Sequence, residues 1–363
     1  MRHYFIIFLV LSLFSCSEKT AETSKEQPDI SSGDTLVNQY AKAFRIIEKE
    51  LYTEVQVLEP SNDSVCFVYG IGEKVPEPIT DLGPSIQSIA ALSSTHVGML
   101  KKLQLADKIL GVSSSDYLCG SDEQPDWIQF GELGQADPEI YIKHTPDLIM
   151  YSGFKRDIPI LKKLRHAGIE SMVNYDWKET HPLGRAEWLK VFGVLFQCEK
   201  SARREFEAIE ESYVTAMKKS AMISDVPSVF VGTIYGDVFN VPAGDSYMSK
   251  LLKDANAEYV YKDTKGTGSL SLTLEEAITE NQTTDYWLNV AASSKKAVRQ
   301  LNTNFTQLKS YQDNTIYTYF DRVNCFWEES AVAPHKVLKD LIRIFHPEVM
   351  ESKDYYFYEK VAD

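Results

Sequence analysis

Apolar positions along the chain follow two alternating patterns, short β-branched runs and helical repeats. Between Val55 and Trp177, spacers long enough for crossover helices separate the runs V-C-F-V-Y-G, I-Q-S-I-A-A-L-S-S, K-I-L-G-V-S-S, D-L-I-M-Y-S-G and S-M-V-N-Y, which predicts parallel βαβ units. A second series contains S-V-F-V-G-T-I-Y, A-E-Y-V-Y, D-Y-W-L-N-V-A and T-I-Y-T-Y-F. Its predicted helices are 246–253, 274–280 and 334–344. The pattern therefore predicts two α/β lobes.

A long helical stretch separates the two series, starting at Pro182. Apolar residues recur there every three or four positions: Trp188, Leu189, Phe192, Leu195 and Phe196, then Phe206, Ile209, Tyr213 and Met217. A break is expected at 198–200, with Ser201 as the N-cap of the second part. That part, 200–220, would be about 30 Å long and could connect two lobes. The predicted fold class is α/β, with two Rossmann-like lobes, one long interlobe helix and a ligand cleft between the lobes.

The first sixteen residues, M-R-H-Y-F-I-I-F-L-V-L-S-L-F-S-C, are typical of a bacterial lipoprotein signal. A basic start, a short apolar run and Ser15 directly before Cys16 predict cleavage that leaves Cys16 lipidated. The apolar run is shorter than the roughly 20 residues that a transmembrane helix needs. We therefore expect a lipid-anchored protein on the periplasmic side of the cell envelope, in contact with the membrane through its lipid only.

The predicted domain organisation combines this signal with the two lobes. Residues 17–37 are rich in Ser, Thr, Glu and Lys and lack apolar periodicity, which is typical of a disordered tether. The remaining length suits two lobes of ordinary domain size. The predicted boundaries are 1–16 for the signal, 17–37 for the tether, 38–182 for the N-terminal lobe, 183–222 for the helical region and 223–363 for the C-terminal lobe.

The net charge narrows the classes of partner, and the cysteines determine which disulfides are possible. With 52 acidic and 38 basic residues, the formal net charge is −14, so nucleic acid is not expected as a partner. Besides Cys16 there are Cys66, Cys119, Cys198 and Cys325, far apart and without a C-x-x-C pair. An oxidising compartment permits disulfides, but four cysteines allow three complete pairings and the spacing does not choose among them.

Four stretches resemble one family. They are S-S-T-H-V-G-M-L-K-K-L-Q-L-A-D-K-I-L-G-V from Ser93, G-E-L-G-Q-A-D-P-E-I-Y-I-K-H-T-P-D-L-I-M from Gly131, P-L-G-R-A-E-W-L-K-V-F-G-V-L-F from Pro182 and V-L-K-D-L-I-R-I-F-H-P-E near the end. Together, and in this order, they resemble the substrate-binding proteins that deliver iron-siderophores, haem or cobalamin to ABC importers. The resemblance covers about 55–348. It implies two lobes on one rigid helix, a shallow cleft and only modest closure on the ligand.

The same resemblance implies a docking site for the ABC permease. One glutamate on each lobe of that family meets arginines of the permease, and the matching positions here are Glu139 and Glu275. Glu276 competes with Glu275, because this chain has Thr284-Asp285 where the family usually has Pro-Asp. Carboxylates suit this role because they form charge-assisted, directional pairs with guanidinium groups.

Candidate ligand-binding residues are aromatic or small and polar, as a bulky metal chelate requires. They are Ser94, Thr95, Tyr117, Trp127, Phe154 and Trp177 on the first lobe, and Tyr235, Tyr247, Arg322 and Trp327 on the second. Cations near predicted strand ends are few, which favours cobalamin, haem or a neutral siderophore over a trianionic catecholate. No resident cofactor is expected, and the protein is expected to be a monomer.

Two alternatives remain open at this stage. A receptor for bare zinc or manganese would hold the ion with histidines and carboxylates, whereas the histidines here are scattered; His96, after a predicted strand, is the best candidate for an axial ligand of haem or cobalt. A secreted α/β enzyme is the second alternative. The sequence lacks G-x-S-x-G, H-E-x-x-H, Walker and G-x-G-x-x-G motifs, so no catalytic residues are predicted.

Overall fold

The computed structural model describes residues 34–116, 118–120, 125–153, 158–319, 325–349 and 354–363. The predictions for Cys16, Tyr117, Phe154 and Arg322 fall outside these ranges. Two mainly parallel sheets flanked by helices confirm the predicted two-lobed α/β fold. None of the described helices combines the length and the apolar character that crossing a membrane requires.

An N-terminal five-stranded sheet precedes both lobes. Its strands are β1 Asp34–Leu36, β2 Phe44–Glu48, β3 Tyr52–Glu59, β4 Ser64–Gly72 and β5 Thr80–Asp81. They pair in sequence order, antiparallel except for β4 with β5. The prediction that V-C-F-V-Y-G belongs to a parallel unit is therefore wrong. Only four residues separate β3 from β4, too few for a crossover. Residues 34–36 of the predicted tether also form a strand.

The first lobe is built on a parallel sheet with the order β10-β9-β6-β7-β8. Its strands are β6 Ile89–Ala91, β7 Ile109–Val112, β8 Ile128–Gln129, β9 Leu148–Tyr151 and β10 Glu170–Val173. Its helices are α1 Ser94–Lys102, α2 Pro138–His144 and α3 Pro159–His166. Every residue of β9 is buried, as expected for a central strand covered on both faces. These strands confirm the runs predicted between residues 86 and 175.

Three consecutive helices connect the lobes: α4 Pro182–Glu187, α5 Leu189–Leu195 and α6 Glu199–Ser220. The predicted break is confirmed, but the N-cap of α6 is Cys198 rather than Ser201. With 22 residues, α6 is about 33 Å long. Its Glu205 pairs with Lys102 of the first lobe at 3.1 Å, and its Tyr213 donates to Asp254 at 2.7 Å. Helix α6 therefore contacts elements on both sides of the boundary.

The second lobe contains a mixed sheet and a small antiparallel sheet, with the orders β14-β11-β16-β17-β18 and β12-β13-β15. The strands are β11 Ser228–Val231, β12 Thr233–Tyr235, β13 Val238–Pro242, β14 Glu258–Tyr259, β15 Ser269–Leu272, β16 Tyr286–Leu288, β17 Ile316–Thr318 and β18 Glu359–Lys360. The helices are α7 Tyr247–Asp254, α8 Leu274–Glu280, α9 Lys295–Leu301, α10 Lys309–Gln312, α11 Phe326–Glu329 and α12 Pro334–Phe345. The predicted strands and helices are confirmed, whereas the small sheet and β18 were not predicted.

Three buried carboxylates hold the two ends of the folded chain by accepting hydrogen bonds from main-chain N–H groups. Glu187 accepts the backbone N–H groups of Gln39, Tyr40 and Ala41 at 2.8–3.0 Å, and Glu179 accepts those of residues 42 and 43 at 2.8 and 3.0 Å. At the other end, Asp340 accepts the N–H groups of residues 356–358. These carboxylates satisfy main-chain donors that are buried or partly buried.

Candidate functional site

A cavity of about 1120 Å³ lies between the lobes. First-lobe residues Lys178 and Thr180, which follow β10, line one wall, and the opposite wall carries second-lobe residues 244–246 and 256–259. Strands β10 and β14 are at the edges of their sheets, so the cavity opens at one end of the interlobe boundary. Ligands of open α/β sheets collect beyond the carboxyl ends of the strands; Lys178 and Thr180 follow β10 in this way, whereas residues 256 and 257 precede β14.

The cavity is lined mainly by charged and polar side chains. Five lysines face it, Lys42, Lys178, Lys250, Lys253 and Lys262, with four acids, Glu59, Asp245, Glu258 and Asp263. Lys178 pairs with Glu59 at 2.7 Å, and Lys262 pairs with Glu258. Lys42 and Lys253 are exposed and form no ion pair with a described residue. The cavity has more cations than the sequence-based expectation of few cations near the ligand, because these lysines come from segments that are distant along the chain.

Trp177 lies beside this cavity. Its indole N–H donates to the Ser152 carbonyl at 2.6 Å, which connects the loops after β9 and β10. The Lys178 ammonium lies 3.9 Å from the centre of the Tyr175 ring and 5.5 Å from the Trp177 ring. Cation–π contacts and a hydrogen bond therefore hold the indole, which is half-buried. Trp177 keeps its predicted place near the ends of the first-lobe strands.

Ser94, Thr95 and Trp327 lie at the contact between α1 and α11. The Ser94 hydroxyl donates to the Trp327 carbonyl at 2.9 Å, and the Thr95 hydroxyl is 3.0 Å from that of Ser93. The Trp327 side chain is 48% exposed and packs edge-on against Tyr319. The structure thus brings Ser94 and Trp327 together, although the Ser94 hydroxyl donates its hydrogen bond to the main chain of the second lobe.

The remaining predicted aromatic residues do not gather in one pocket. Tyr247 packs under Arg185, whose guanidinium carbon is 4.3 Å from the ring centre. Tyr235 is 84% exposed at the end of the β12–β13 hairpin, opposite Val238. Trp127 is only 9% exposed, so its indole belongs to the first-lobe core and the prediction of a ligand contact is not supported.

The expectation that His96 could act as an axial ligand is wrong. The side chain is fully buried in α1, and its ring centre is 6.3 Å from that of Phe192. Burial lowers the pKa of His96 to about 4, although the charge of Asp176 opposes this shift. The imidazole is therefore neutral at physiological pH and does not face the cleft.

We expect His96 to make the fold acid-sensitive. Its pKa is lower in the folded chain than in the unfolded chain, so the unfolded state takes up the proton first as the pH falls. The free energy of unfolding should therefore fall by up to about 3 kcal/mol between pH 6.5 and pH 4 because of this residue. Urea unfolding across this range, compared with His96→Leu, measures the contribution. An equally steep pH dependence in the variant would contradict it.

The predicted docking glutamates are exposed at the starts of two helices. Glu139 lies in the first turn of α2, where the Asp137 side chain accepts its backbone N–H at 3.0 Å. In α8, the Glu276 side chain takes part in a capping box. Its carboxylate accepts hydrogen bonds from the backbone N–H and from the hydroxyl of Thr273, at 2.8 Å each. Those hydrogen bonds lower the pKa of Glu276. Glu275 is exposed beside it, and the capping box does not engage its carboxylate.

One disulfide joins Cys119 to Cys325, while Cys66 and Cys198 are free thiols. The structure thus contains one bridge and none of the three complete pairings, because Cys66 and Cys198 are not bonded to each other. The disulfide sulfurs and Glu329 form the one cluster of three possible metal ligands detected within the described ranges. Because the sulfurs are bonded to each other, they are not thiolates and do not offer the ordinary ligand chemistry of cysteine.

Comparisons with known proteins show which family and which solved structures this chain is similar to. The sequence profile of the family described as periplasmic binding protein matches residues 89–321. The structure of a periplasmic heme binding protein from Pseudomonas aeruginosa superposes with a TM-score of 0.60 at 14% identity, covering 77% of this chain and 99% of that chain. An ABC transporter substrate-binding protein from Listeria monocytogenes gives 0.55 at 18% identity, covering 73% and 100%. At these identities the likeness concerns the fold.

A curated relative also matches by sequence. An uncharacterized lipoprotein of Methanocaldococcus jannaschii is 25% identical over 245 residues, which is 66% of this chain and 55% of the relative. The chain therefore spans about half the length of that relative. The N-terminal sheet, 34–81, precedes the region matched by the family profile.

Proposed function

The chain belongs to the periplasmic binding protein family, and on this basis we propose that it captures a metal chelate between its lobes and delivers it to an ABC importer. The proposed ligands are haem, cobalamin or an iron-siderophore. A fold shared with a heme binding protein and with an ABC transporter substrate-binding protein supports this class of ligand and partner. The role proposed is binding without catalytic turnover, by a monomer.

The interlobe cavity is the observation that carries this proposal. Its volume of about 1120 Å³ slightly exceeds the range of about 300–1,000 Å³ that is usual for small-molecule sites, which suits a large ligand. Lysines and hydroxyl groups in its walls favour a ligand with peripheral anionic groups, such as the carboxylates of a porphyrin or of a siderophore. Trp177, which lies beside Lys178 of the cavity wall, could add aromatic contact area, whereas Tyr235 and Trp327 are not among the residues that line this cavity.

Delivery requires docking to the permease and retention at the membrane. We propose that exposed Glu139 and Glu275 dock to permease arginines, as the family resemblance implies, while Glu276 keeps its capping role. We also propose that a lipid on Cys16 anchors the protein at the periplasmic face of the envelope. A relative described as a lipoprotein supports this anchor.

A ligand screen tests the proposal directly. Haemin, cobalamin and several ferric siderophores are titrated into the purified protein while tryptophan fluorescence is recorded. Binding of at least one compound is expected, with the compound recovered chemically unchanged. Metal analysis of the same preparation addresses the alternative: stoichiometric zinc or manganese without chelate binding would identify a bare-metal receptor and contradict the proposal. Chemical conversion of a bound compound would instead indicate an enzyme.

We expect the unpaired cavity lysines to contribute to affinity. Converting Lys42 and Lys253 to glutamate places two negative charges where an anionic ligand would meet positive ones. The dissociation constant of whichever anionic compound binds in the screen should rise at least about tenfold, since charge reversal at a ligand contact costs more than about 1.4 kcal/mol. Lys163→Glu, exposed on α3, is the control. Equal affinities in both variants would exclude the lysines from the site.

A further inference from the structure

The disulfide joins two segments that belong to different lobes. Cys119 lies between β7 and β8 of the first lobe, and Cys325 lies between β17 and α12 of the second. The two cysteines are 206 residues apart in sequence, yet their Cα atoms are 4.5 Å apart. The lobes are therefore connected covalently twice, once through the helical region and once through this bond.

Polar contacts around the disulfide also cross from one lobe to the other. Glu328 of α11 is only 2% exposed; its carboxylate accepts the backbone N–H of Cys119 at 2.9 Å and pairs with Lys101 at 2.8 Å. The bond from Ser94 to the Trp327 carbonyl belongs to the same contact. A buried carboxylate with both an N–H donor and an ammonium partner is held firmly in place.

Helices α1 and α11 also approach each other closely at Gly98. A Cβ atom on Gly98 would lie 1.9 Å from the carbonyl oxygen of Glu328, so only glycine fits between the helices in this arrangement. This contact therefore holds α11 directly against α1 of the first lobe. The disulfide therefore reinforces an interface that is already tightly packed.

The disulfide and the cavity lie at opposite ends of the interlobe boundary. Cys119 and Cys325 follow β7 and β17, which lie toward one edge of their sheets, whereas the cavity is flanked by β10 and β14 at the other edges. One end of the boundary is thus closed by a covalent bond and by α11. The other end contains open volume.

We propose that the Cys119–Cys325 disulfide is an interlobe lock that fixes the separation of the lobes at one end of the boundary. Ligand then enters and leaves through the cavity at the other end, without a hinge opening of the lobes; this consequence rests on the proposed function. The lock itself does not depend on any ligand. Both cysteines are half-buried, so a small dithiol can reach them.

Opening the lock is a two-electron reduction. A dithiol supplies two electrons and two protons, the Sγ–Sγ bond breaks to give two cysteine thiols, and the dithiol becomes a disulfide. The lobes then remain joined by the helical region and by non-covalent contacts. We expect α1 and α11 to separate transiently far more often in the reduced protein.

A peptide map of the unreduced protein tests whether the bond exists in solution. The expected result is one linked pair of peptides containing Cys119 and Cys325, with Cys66 and Cys198 recovered as free thiols. A map in which Cys119 and Cys325 are free, or linked to other cysteines, would overturn the proposal.

Hydrogen exchange without ligand tests whether the bond acts as a lock. In the Cys119→Ser/Cys325→Ser variant, amides of α1 and α11 should exchange at least about tenfold faster than in the wild type, while amides of α6 are unchanged. The control is Cys66→Ser/Cys198→Ser, which removes two thiols but no bridge. If the serine variant does not fold, wild-type protein in dithiothreitol gives the same comparison. Unchanged exchange in α1 and α11, or equal acceleration throughout α6, would overturn the lock.

Discussion

Glu187→Ala is expected to lower the free energy of unfolding by about 3–5 kcal/mol, the usual cost of removing one partner from a buried charged network. The Glu187 side chain is fully buried and accepts three backbone N–H groups from residues 39–41. It also pairs with Lys190 at 2.6 Å. Alanine would leave these partly buried donors without their protein acceptor. Urea denaturation followed by circular dichroism measures the difference.

Two matched variants separate this effect from a general effect of charge removal. Glu187→Gln keeps one carbonyl oxygen as an acceptor but turns an amide toward main-chain donors, so an intermediate loss is expected. Glu207→Ala removes an exposed glutamate from α6 and should change the free energy of unfolding by no more than about 0.5 kcal/mol. If Glu187→Ala were as stable as Glu207→Ala, the segment 39–41 would not depend on this carboxylate.

Much of the architecture could be predicted from the sequence because the central strands are buried on both faces. Runs such as L-I-M-Y in β9 contain no alternation and are flanked by turn residues, so their position is clear even without knowing their partners. Helix α6 was predictable for a related reason: Ala202, Phe206, Ile209 and Tyr213 recur at helical spacing and are all buried. Local periodicity was sufficient in both cases.

The pairing of strands was harder to predict than the position of each strand and helix along the chain. The run V-C-F-V-Y-G identifies β4 as a strand, but the run alone does not show that β4 pairs with the preceding strand β3 in a hairpin. The small sheet of the second lobe was missed for a similar reason. Its hairpin turns at Gly236-Asp237. The T-I-Y segment of β12 continues the apolar pattern of β11 in the sequence, because Gly232 between them does not interrupt that pattern strongly.

In the candidate site, too, features that depend on neighbouring residues are predictable from the sequence, whereas features that depend on residues distant along the chain are not. Glu276 could have been recognised as a capping residue, because Thr273 three positions earlier completes the capping-box pattern. The cavity lysines could not have been identified, since residues 42, 178 and 253 meet only through the relative position of the N-terminal sheet and the lobes. The disulfide partners are likewise 206 residues apart, and spacing alone does not select such a pair.

Glu139→Arg and Glu275→Arg are each expected to abolish uptake in cells while leaving ligand affinity in solution unchanged. In the proposed complex, each substitution places a guanidinium against permease arginines, and like charges in contact cost several kcal/mol. Uptake should therefore fall at least about a hundredfold. The transported compound is whichever of haemin, cobalamin or the ferric siderophores binds in the fluorescence screen, and uptake is measured in cells that lack the wild-type copy.

The neighbouring glutamates provide the controls for this prediction. Glu211→Arg makes the same charge change at an exposed position of α6 and should leave uptake intact, which excludes a general effect of net charge. Glu276→Gln weakens the cap of α8, where the carboxylate accepts from Thr273, so it should lower stability slightly without a comparable loss of uptake. Docking through Glu275 would be refuted if Glu276→Gln reduced uptake more than Glu275→Arg. A parallel loss of ligand affinity in Glu139→Arg would place that residue in the ligand site instead, since a docking carboxylate has no role in the binding equilibrium of the isolated protein.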